Sequence, residues 1–186
     1  MPEILTVFSI LGVFLLGAMS PGPSFVVVSR IAISDMRANG LAAALGMGVG
    51  GFIFALVAVA DLTALLTQVA WLDILLRFTG GAYLLWIGIR IWRGAGDPIK
   101  VTADDTPHSG SFRRTFLRAL LVQLANPKTA IFYASMFAAM LPASPPRWMV
   151  LALPPMLFCT EFGWYAVVAL AFSSHGPRSL YLRAKH

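Results

Sequence analysis

Five long apolar segments, separated by polar connections, account for most of the chain. Each approaches or exceeds the roughly 20 residues that a helix needs to cross a bilayer, and none shows the alternation of a barrel strand. The pattern predicts an all-α, polytopic helical membrane protein with five spans. The segments are Ile4–Ile33, Leu41–Leu66, Ile74–Trp92, Phe116–Leu141 and Met149–Phe172.

Two of these segments are interrupted by proline. As one straight helix the first would be about 45 Å long, against a hydrocarbon core of about 30 Å. It contains the break Ser20–Ser24, and the fourth segment contains Asn126–Lys128. A carbonyl freed by proline has no water to bond in hydrocarbon, so such breaks persist only inside protein or beside a wet cavity. Breaks at corresponding places in two halves predict the binding site of a secondary transporter.

A polar connection rich in Gly, Pro, Asp and Thr separates the two halves. The predicted parts are an N-terminal three-span half (1–93), a cytoplasmic loop (94–114) and a C-terminal half (115–186). The composition agrees with a membrane protein, since 58% of the 186 residues are hydrophobic and only 12% are charged. That charged share is about half of what soluble proteins carry.

The basic residues are concentrated on one side of the predicted spans. The net charge is +6, and the residues that carry it lie between the apolar segments and form no basic stripe. The lipid bilayer, not nucleic acid, is therefore the expected partner. The positive-inside rule places the N-terminus outside and the long loop and tail in the cytoplasm. Only Arg77 and Arg147 fall on the outer side. The basic residues of the inner side are Arg30, Arg37, Arg90, Arg93, Lys100, Arg113, Arg114, Arg118, Arg178, Arg183 and Lys185.

Small residues recur every fourth position on the second span, at Ala42, Gly46 and Gly50. Such a surface lets helices approach closely. Packing inside the monomer is the expected use, and a homodimer face is the alternative. The single Cys159 excludes an internal disulfide, and no metal-ligand spacing occurs, so neither a metal nor a cofactor is expected.

Several motifs follow one another in an order and spacing that extend over about residues 4 to 183. They are Ser20–Pro23, the basic turn Arg30–Arg37, the glycines Gly40, Gly46 and Gly50, the stretch Gly81–Arg90, Asn126–Lys128 and Trp164-Tyr165. Together they resemble the LysE/RhtB family of bacterial amino-acid exporters. The resemblance implies export of amino acids or close analogues across the bacterial cytoplasmic (inner) membrane, with coupling to protons.

The chain departs from this family in two respects. Members of the family normally have a sixth span after a basic stretch such as Arg178–His186, where this sequence stops. On that basis either the second half is truncated and lacks the sixth span, or the sequence is incomplete. In addition, Asp61 occupies a position where the family usually has glycine or another small residue.

Ionisable residues within the spans are candidates for function because they are costly in a bilayer. Lys128 and Glu161 each lie about 18 Å into a span, from opposite sides, so both are expected near the midplane as a pair. In the functional interpretation Glu161 binds a proton or the substrate amine, and Lys128 binds a carboxylate or exchanges with Glu161. The alternative is an ion pair that braces the helices. Asp61, near the outer face, is a further candidate for proton coupling or an interfacial residue.

The breaks also suit an amino-acid ligand. A half-helix N-terminus attracts a carboxylate, and freed carbonyls accept from an ammonium group. The polar side chains at the breaks add hydrogen-bonding groups, although repair of the broken backbone is an alternative role for them. The predicted substrate-binding or pathway residues are Ser20, Pro21, Gly22, Pro23, Ser24, Asn126, Pro127 and Lys128. Five aromatic residues of the spans could line the pathway, although packing or anchoring at the interface is the more frequent role of such residues. They are Tyr83, Trp86, Tyr133, Trp164 and Tyr165.

Two other functions are weaker alternatives. An intramembrane hydrolase would use Ser20 or Ser24 as its nucleophile, but every histidine falls in a loop or the tail, which leaves no base. The chain is therefore not expected to be an enzyme. A non-transporting membrane subunit is the second alternative, and the missing sixth span is the argument for it.

The predicted orientation can be tested with an impermeant thiol reagent applied to intact cells, in a chain whose Cys159 has been replaced. Pro2→Cys and Pro145→Cys should be labelled because both positions face outward, whereas Asp104→Cys should be protected in the cytoplasm. Permeabilised cells, in which Asp104→Cys should react, provide the control. Labelling of Asp104→Cys in intact cells would refute the orientation.

Overall fold

The computed structural model describes residues 2–66, 111–142 and 144–173, together with scattered helical positions between 78 and 93; side chains are not described at residues 2 and 61–66. Within these ranges the chain is helical, without strands, as the sequence predicts. Most of the third predicted span and most of the long loop lie outside the described residues. The helices are α1 (Pro2–Met19), α2 (Pro23–Ser34), α3 (Arg37–Leu66), α4 (Phe112–Leu124), α5 (Pro127–Met140) and α6 (Arg147–Phe172).

Both predicted breaks are present. Helix α1 ends at Met19 and α2 begins at Pro23, and the two helices are bent by 62°. Helix α4 ends at Leu124 and α5 begins at Pro127. Each new helix starts with proline, where the missing N–H costs little because first-turn amides have no intrahelical partner. The prolines therefore start half-helices and do not kink continuous ones.

Two of the described helices are long and apolar enough to cross a membrane, α3 over Arg37–Ala60 and α6 over Arg147–Phe172. The bent pair α1–α2 makes a third span if it is counted as one. These correspond to the second, fifth and first predicted spans. Helix α6 continues through Pro154 and Pro155, so a proline pair inside an apolar run does not by itself end a helix here.

Two apolar cores lie on either side of the level of the breaks. Helices α3 and α6 contribute to both cores, while α1 and α5 join one and α2 and α4 join the other. Polar side chains occupy the level between them. The first core contains Val7, Ile10, Phe14, Ala55, Val59, Phe132, Tyr133, Met136, Phe137, Leu141, Met149, Leu153 and Leu157. The second contains Val28, Ala32, Ala43, Ala44, Met47, Ala119, Tyr165, Val168 and Ala169.

Large apolar side chains also cover the outer surface of the helices. Leu5 is 69% exposed, Phe8 is 65% exposed and Leu151 is 75% exposed. A water-soluble protein rarely exposes so many large apolar groups together. The surface is therefore typical of a protein whose helices face lipid.

The small-residue face of α3 packs inside the monomer, as expected. A Cβ added at Gly46 would lie 2.5 Å from the Phe116 carbonyl oxygen and 2.9 Å from the Leu120 nitrogen, so the backbones of α3 and α4 are in close contact. At Gly50 an added Cβ would lie 2.6 Å from Cγ of Gln123. These contacts hold α4 against α3 at the level of the second break.

The Gly46 contact predicts a stability difference between two glycine substitutions. Gly46→Ala should lower the thermal unfolding midpoint in detergent, because its methyl group meets backbone atoms and overpacking typically costs about 1–3 kcal/mol. Gly163→Ala on α6 is the matched control, since an added Cβ there meets nothing within 4 Å. Equal midpoints for the two variants, measured by size-exclusion chromatography after heating, would contradict the proposed close contact.

Candidate binding site between the helix breaks

A cavity of about 40 Å³ lies where the two breaks meet α6. That volume accommodates about three water molecules. Its polar lining consists of Ser20, Ser24, Asn126, Lys128, Thr129, Glu161 and Tyr165. Its remaining lining consists of Phe14, Gly17, Ala18, Gly22, Pro23, Phe25 and Phe132. The cavity is therefore amphipathic, with a carboxylate and an ammonium group among its polar lining and aromatic rings among the rest.

The structure brings most of the predicted site residues together around this cavity. Six of the predicted pathway residues line it: Ser20, Gly22, Pro23, Ser24, Asn126 and Lys128. Pro21 and Pro127 are exposed and do not line it. Glu161, predicted for proton coupling, also lines the cavity. The side chain of Asp61 lies outside the described residues.

Glu161 is the buried acid of the site, with 2% of its surface exposed. Its Oε1 accepts a hydrogen bond from Nε2 of Gln123 at 2.6 Å, and its Oε2 accepts one from the Tyr133 hydroxyl at 3.1 Å. Burial of a carboxylate costs several kcal/mol, and each hydrogen bond to a charged group contributes about 1.5–3 kcal/mol. Two neutral donors offset that cost only in part, so the carboxylate still favours a cation that enters the cavity.

Gln123 is a residue of the site that sequence reasoning missed. It is fully buried on α4, and its Oε1 accepts a hydrogen bond from the Ser24 hydroxyl at 2.6 Å. Ser24 in turn accepts from Nδ2 of Asn126 at 3.1 Å. A continuous chain of side-chain hydrogen bonds therefore joins both breaks to Glu161. The available signal was a polar residue three positions before Asn126 in an apolar run.

Lys128 makes a separate contact with the first helix break. Its Nζ donates to the Ser20 hydroxyl at 3.1 Å, which links the start of α5 to the first break. A Cβ added at Gly22 would lie 3.2 Å from Nζ, so the ammonium group rests against that glycine. The described hydrogen bonds of Glu161 come from Gln123 and Tyr133, and an ion pair between Glu161 and Lys128 stays a prediction. The two residues line the same cavity.

Gly51 allows α3 to pass directly against the buried acid. An added Cβ would overlap Oε2 of Glu161 and would lie 2.5 Å from the Tyr133 hydroxyl. Tyr133 itself is buried, and its ring packs against Phe14 with centroids 4.9 Å apart. Gly51, next to the small-residue repeat of the second span, thus serves the site directly, a role that the sequence did not reveal.

Two helix N-termini point to the same cavity. Asn126 caps α5 by accepting from the Lys128 amide at 3.1 Å. Gly22, the N-cap of α2, has no side chain with which to cap the first turn. The positive ends of both half-helices therefore face residues of the cavity, and such ends favour an anionic group.

Comparison with known proteins agrees with this geometry. The chain matches the family model described as LysE type translocator over residues 15–185. It is 34% identical over 178 residues to the threonine efflux protein of Escherichia coli K12, which covers 92% of this chain and 84% of that relative. The threonine efflux protein of Salmonella typhi is 33% identical over 181 residues, with 95% and 86% covered.

A more distant relative is the homoserine/homoserine lactone efflux protein of Salmonella typhimurium, 31% identical over 120 residues, or 64% of this chain and 57% of that protein. No solved structure matches the chain. The chain belongs to the LysE family of translocators, which confirms the resemblance seen in its motifs. The family consists of transporters and not enzymes, and its efflux relatives support amino-acid export. Relatives named as membrane proteins and the apolar helices agree on a membrane location.

The first break can be tested by removing its prolines. The double change Pro21→Ala and Pro23→Ala should preserve membrane insertion and abolish export, because a continuous helix would replace the bend and fill the cavity. Insertion is measured as membrane-extracted protein, and export as efflux per amount of protein. Wild-type efflux from a well-inserted double variant would contradict a role for the break.

Proposed function

We propose that the protein exports amino acids with small, uncharged side chains across the bacterial cytoplasmic membrane in exchange for protons, with its N-terminus outside. The observation that carries the proposal is the single cavity that both helix breaks share with Glu161 and Lys128. A carboxylate and an ammonium group in one small cavity complement the two charges of a zwitterion.

The proposed pose follows from charge. The substrate ammonium binds the carboxylate of Glu161, whose two described donors are neutral. The substrate carboxylate binds Lys128 and the N-terminal end of α2, where Gly22 supplies no cap of its own. Ser24 and Asn126 orient the ligand between them. A substrate with a charged side chain would bring an additional charge for which the described lining of the cavity provides no further opposite charge.

The apolar part of the cavity limits the substrate side chain. Phe14, Phe25 and Phe132 form aromatic walls, and the Phe132 ring lies so close to Gly17 that an added Cβ would overlap it. The cavity of about 40 Å³ must widen before any amino acid enters. The relatives are named for efflux of threonine and of homoserine, both small amino acids with uncharged side chains, which supports this substrate class.

Exchange for protons follows from the same carboxylate. A buried acid is costly when it is charged and alone, so a proton or a substrate ammonium group should occupy Glu161 in turn. Alternate neutralisation by the two cations couples export to proton entry. Asp61 remains a second proposed residue for proton coupling, on the basis of its position within the second span.

Efflux from loaded cells tests this proposal. Cells with the protein should export threonine, homoserine or serine faster than cells without it, and should not export lysine or glutamate. Glu161→Gln should abolish efflux driven by a pH gradient while some gradient-free exchange persists. Thr160→Val is the matched control, because the Thr160 hydroxyl donates to the Met156 carbonyl of its own helix.

The result that would refute the coupling role is specific. If Glu161 and Lys128 only brace the helices, the double change Lys128→Met and Glu161→Met should transport like the wild type per amount of inserted protein. No efflux of any amino acid by the wild-type protein would instead favour a non-transporting membrane subunit.

A further inference from the structure

Gln123 is a buried polar side chain that the proposed transport cycle does not yet use. It is 0% exposed and does not line the cavity. A buried amide is costly unless both of its polar ends are hydrogen-bonded. Here both ends are bonded, one to Ser24 at 2.6 Å and one to Glu161 at 2.6 Å. The position of Gln123 is therefore set by its two partners.

The two partners also fix which way the amide points. The Oε1 atom only accepts and Nε2 only donates. When Glu161 is ionised, its carboxylate requires a donor, which directs Nε2 to it and leaves Oε1 for the Ser24 hydroxyl. A reversed amide would then place two acceptors against each other at Glu161. One side chain thus connects the acid on α6 with the first turn of α2.

Two consecutive glycines of α3 further restrict the side-chain conformations of Gln123 and Glu161. An added Cβ at Gly50 would lie 2.6 Å from Cγ of Gln123, and one at Gly51 would overlap the carboxylate of Glu161. The backbone of α3 therefore packs on the side chains of both Gln123 and Glu161 and leaves these two side chains little room for other rotamers. Helices α3 and α4 together hold the carboxylate where it meets the cavity.

We propose that Gln123 is a positioning residue, which holds the Glu161 carboxylate in the orientation that binds the substrate ammonium group and connects it to the first helix break through Ser24. The proposal rests on the proposed role of Glu161 as the ammonium site. Gln123 itself touches no substrate, because it does not line the cavity. Loss of the Gln123 amide should therefore weaken substrate binding in protein that still folds.

The variant Gln123→Glu separates the two hydrogen bonds of the amide. It has nearly the same shape and keeps an acceptor for the Ser24 hydroxyl, but it replaces the donor to Glu161 by a second carboxyl group, so the two carboxyl groups compete for one proton. We expect the KM for substrate to rise at least about tenfold, since a hydrogen bond to a charged group contributes about 1.5–3 kcal/mol and 1.4 kcal/mol corresponds to a factor of ten. The melting temperature should fall because two buried carboxyl groups face each other, and Thr160→Val should match the wild type in both measurements.

The double variant Gln123→Glu with Glu161→Gln distinguishes positioning from folding. It restores the hydrogen bond with donor and acceptor exchanged, keeps acceptors for Ser24 and Tyr133, and moves the charge to a side chain outside the cavity. We expect wild-type melting temperature and no efflux driven by a pH gradient. If Gln123→Glu does not accumulate in the membrane, Gln123→Met, which also lacks the donor, is measured for the same rise in KM.

Each outcome bears on one of the two proposals. An unchanged KM in an inserted Gln123→Glu or Gln123→Met variant would overturn the positioning role. Efflux driven by a pH gradient in the double variant would instead remove the proposed ammonium site, because the acid on α6 would then be dispensable. Normal transport by Glu161→Gln alone would instead remove the proposed ammonium site and leave the protein's export activity to another residue.

Discussion

The buried carboxylate of Glu161 is the constraint on which the rest of the site depends. A charge at this depth requires donors, close packing and few competing side chains, and three other helices supply them. Helix α4 provides Gln123, α5 provides Tyr133, and α3 provides Gly51, whose missing side chain makes room for the acid. The two apolar cores lie on either side of this polar level, so the charge is enclosed by the fold.

The helix breaks impose a second requirement at the same level, which is to satisfy the backbone groups that they expose. Broken helices expose backbone amides and carbonyls that hydrocarbon cannot satisfy. Proline at the start of α2 and α5 removes one amide from each new helix, and Asn126 caps another. The polar groups that remain face a cavity instead of lipid. Backbone repair and ligand binding are therefore compatible roles for the same residues, because a cavity that solvates the breaks also attracts a zwitterion.

Features that depend on local chemistry, such as helix starts and long apolar helices, could be predicted from the sequence. Pro23 and Pro127 each start a half-helix, and apolar length identifies α3 and α6, so these features were predicted correctly. The partners of Glu161 were not, because depth along a helix does not give rotation about its axis. Lys128 and Glu161 share a depth and a cavity, yet Gln123 is the side chain that faces the acid. The role of Gly51 likewise could not be predicted, because its contact with Glu161 depends on how α6 packs against α3.

The packing also indicates which helices can separate to admit a substrate. Helix α3 packs closely on both neighbours: an added Cβ at Gly46 would lie 2.5 Å from the Phe116 carbonyl oxygen of α4, and one at Gly48 would lie 2.9 Å from Cβ of Phe162 on α6. By contrast, side-chain hydrogen bonds of Ser20 and Ser24 join the first break to α4 and α5. A polar substrate can replace such hydrogen bonds, but nothing replaces lost backbone packing. The hydrogen bonds at the first break are therefore the contacts around the cavity that a polar substrate can replace at least cost.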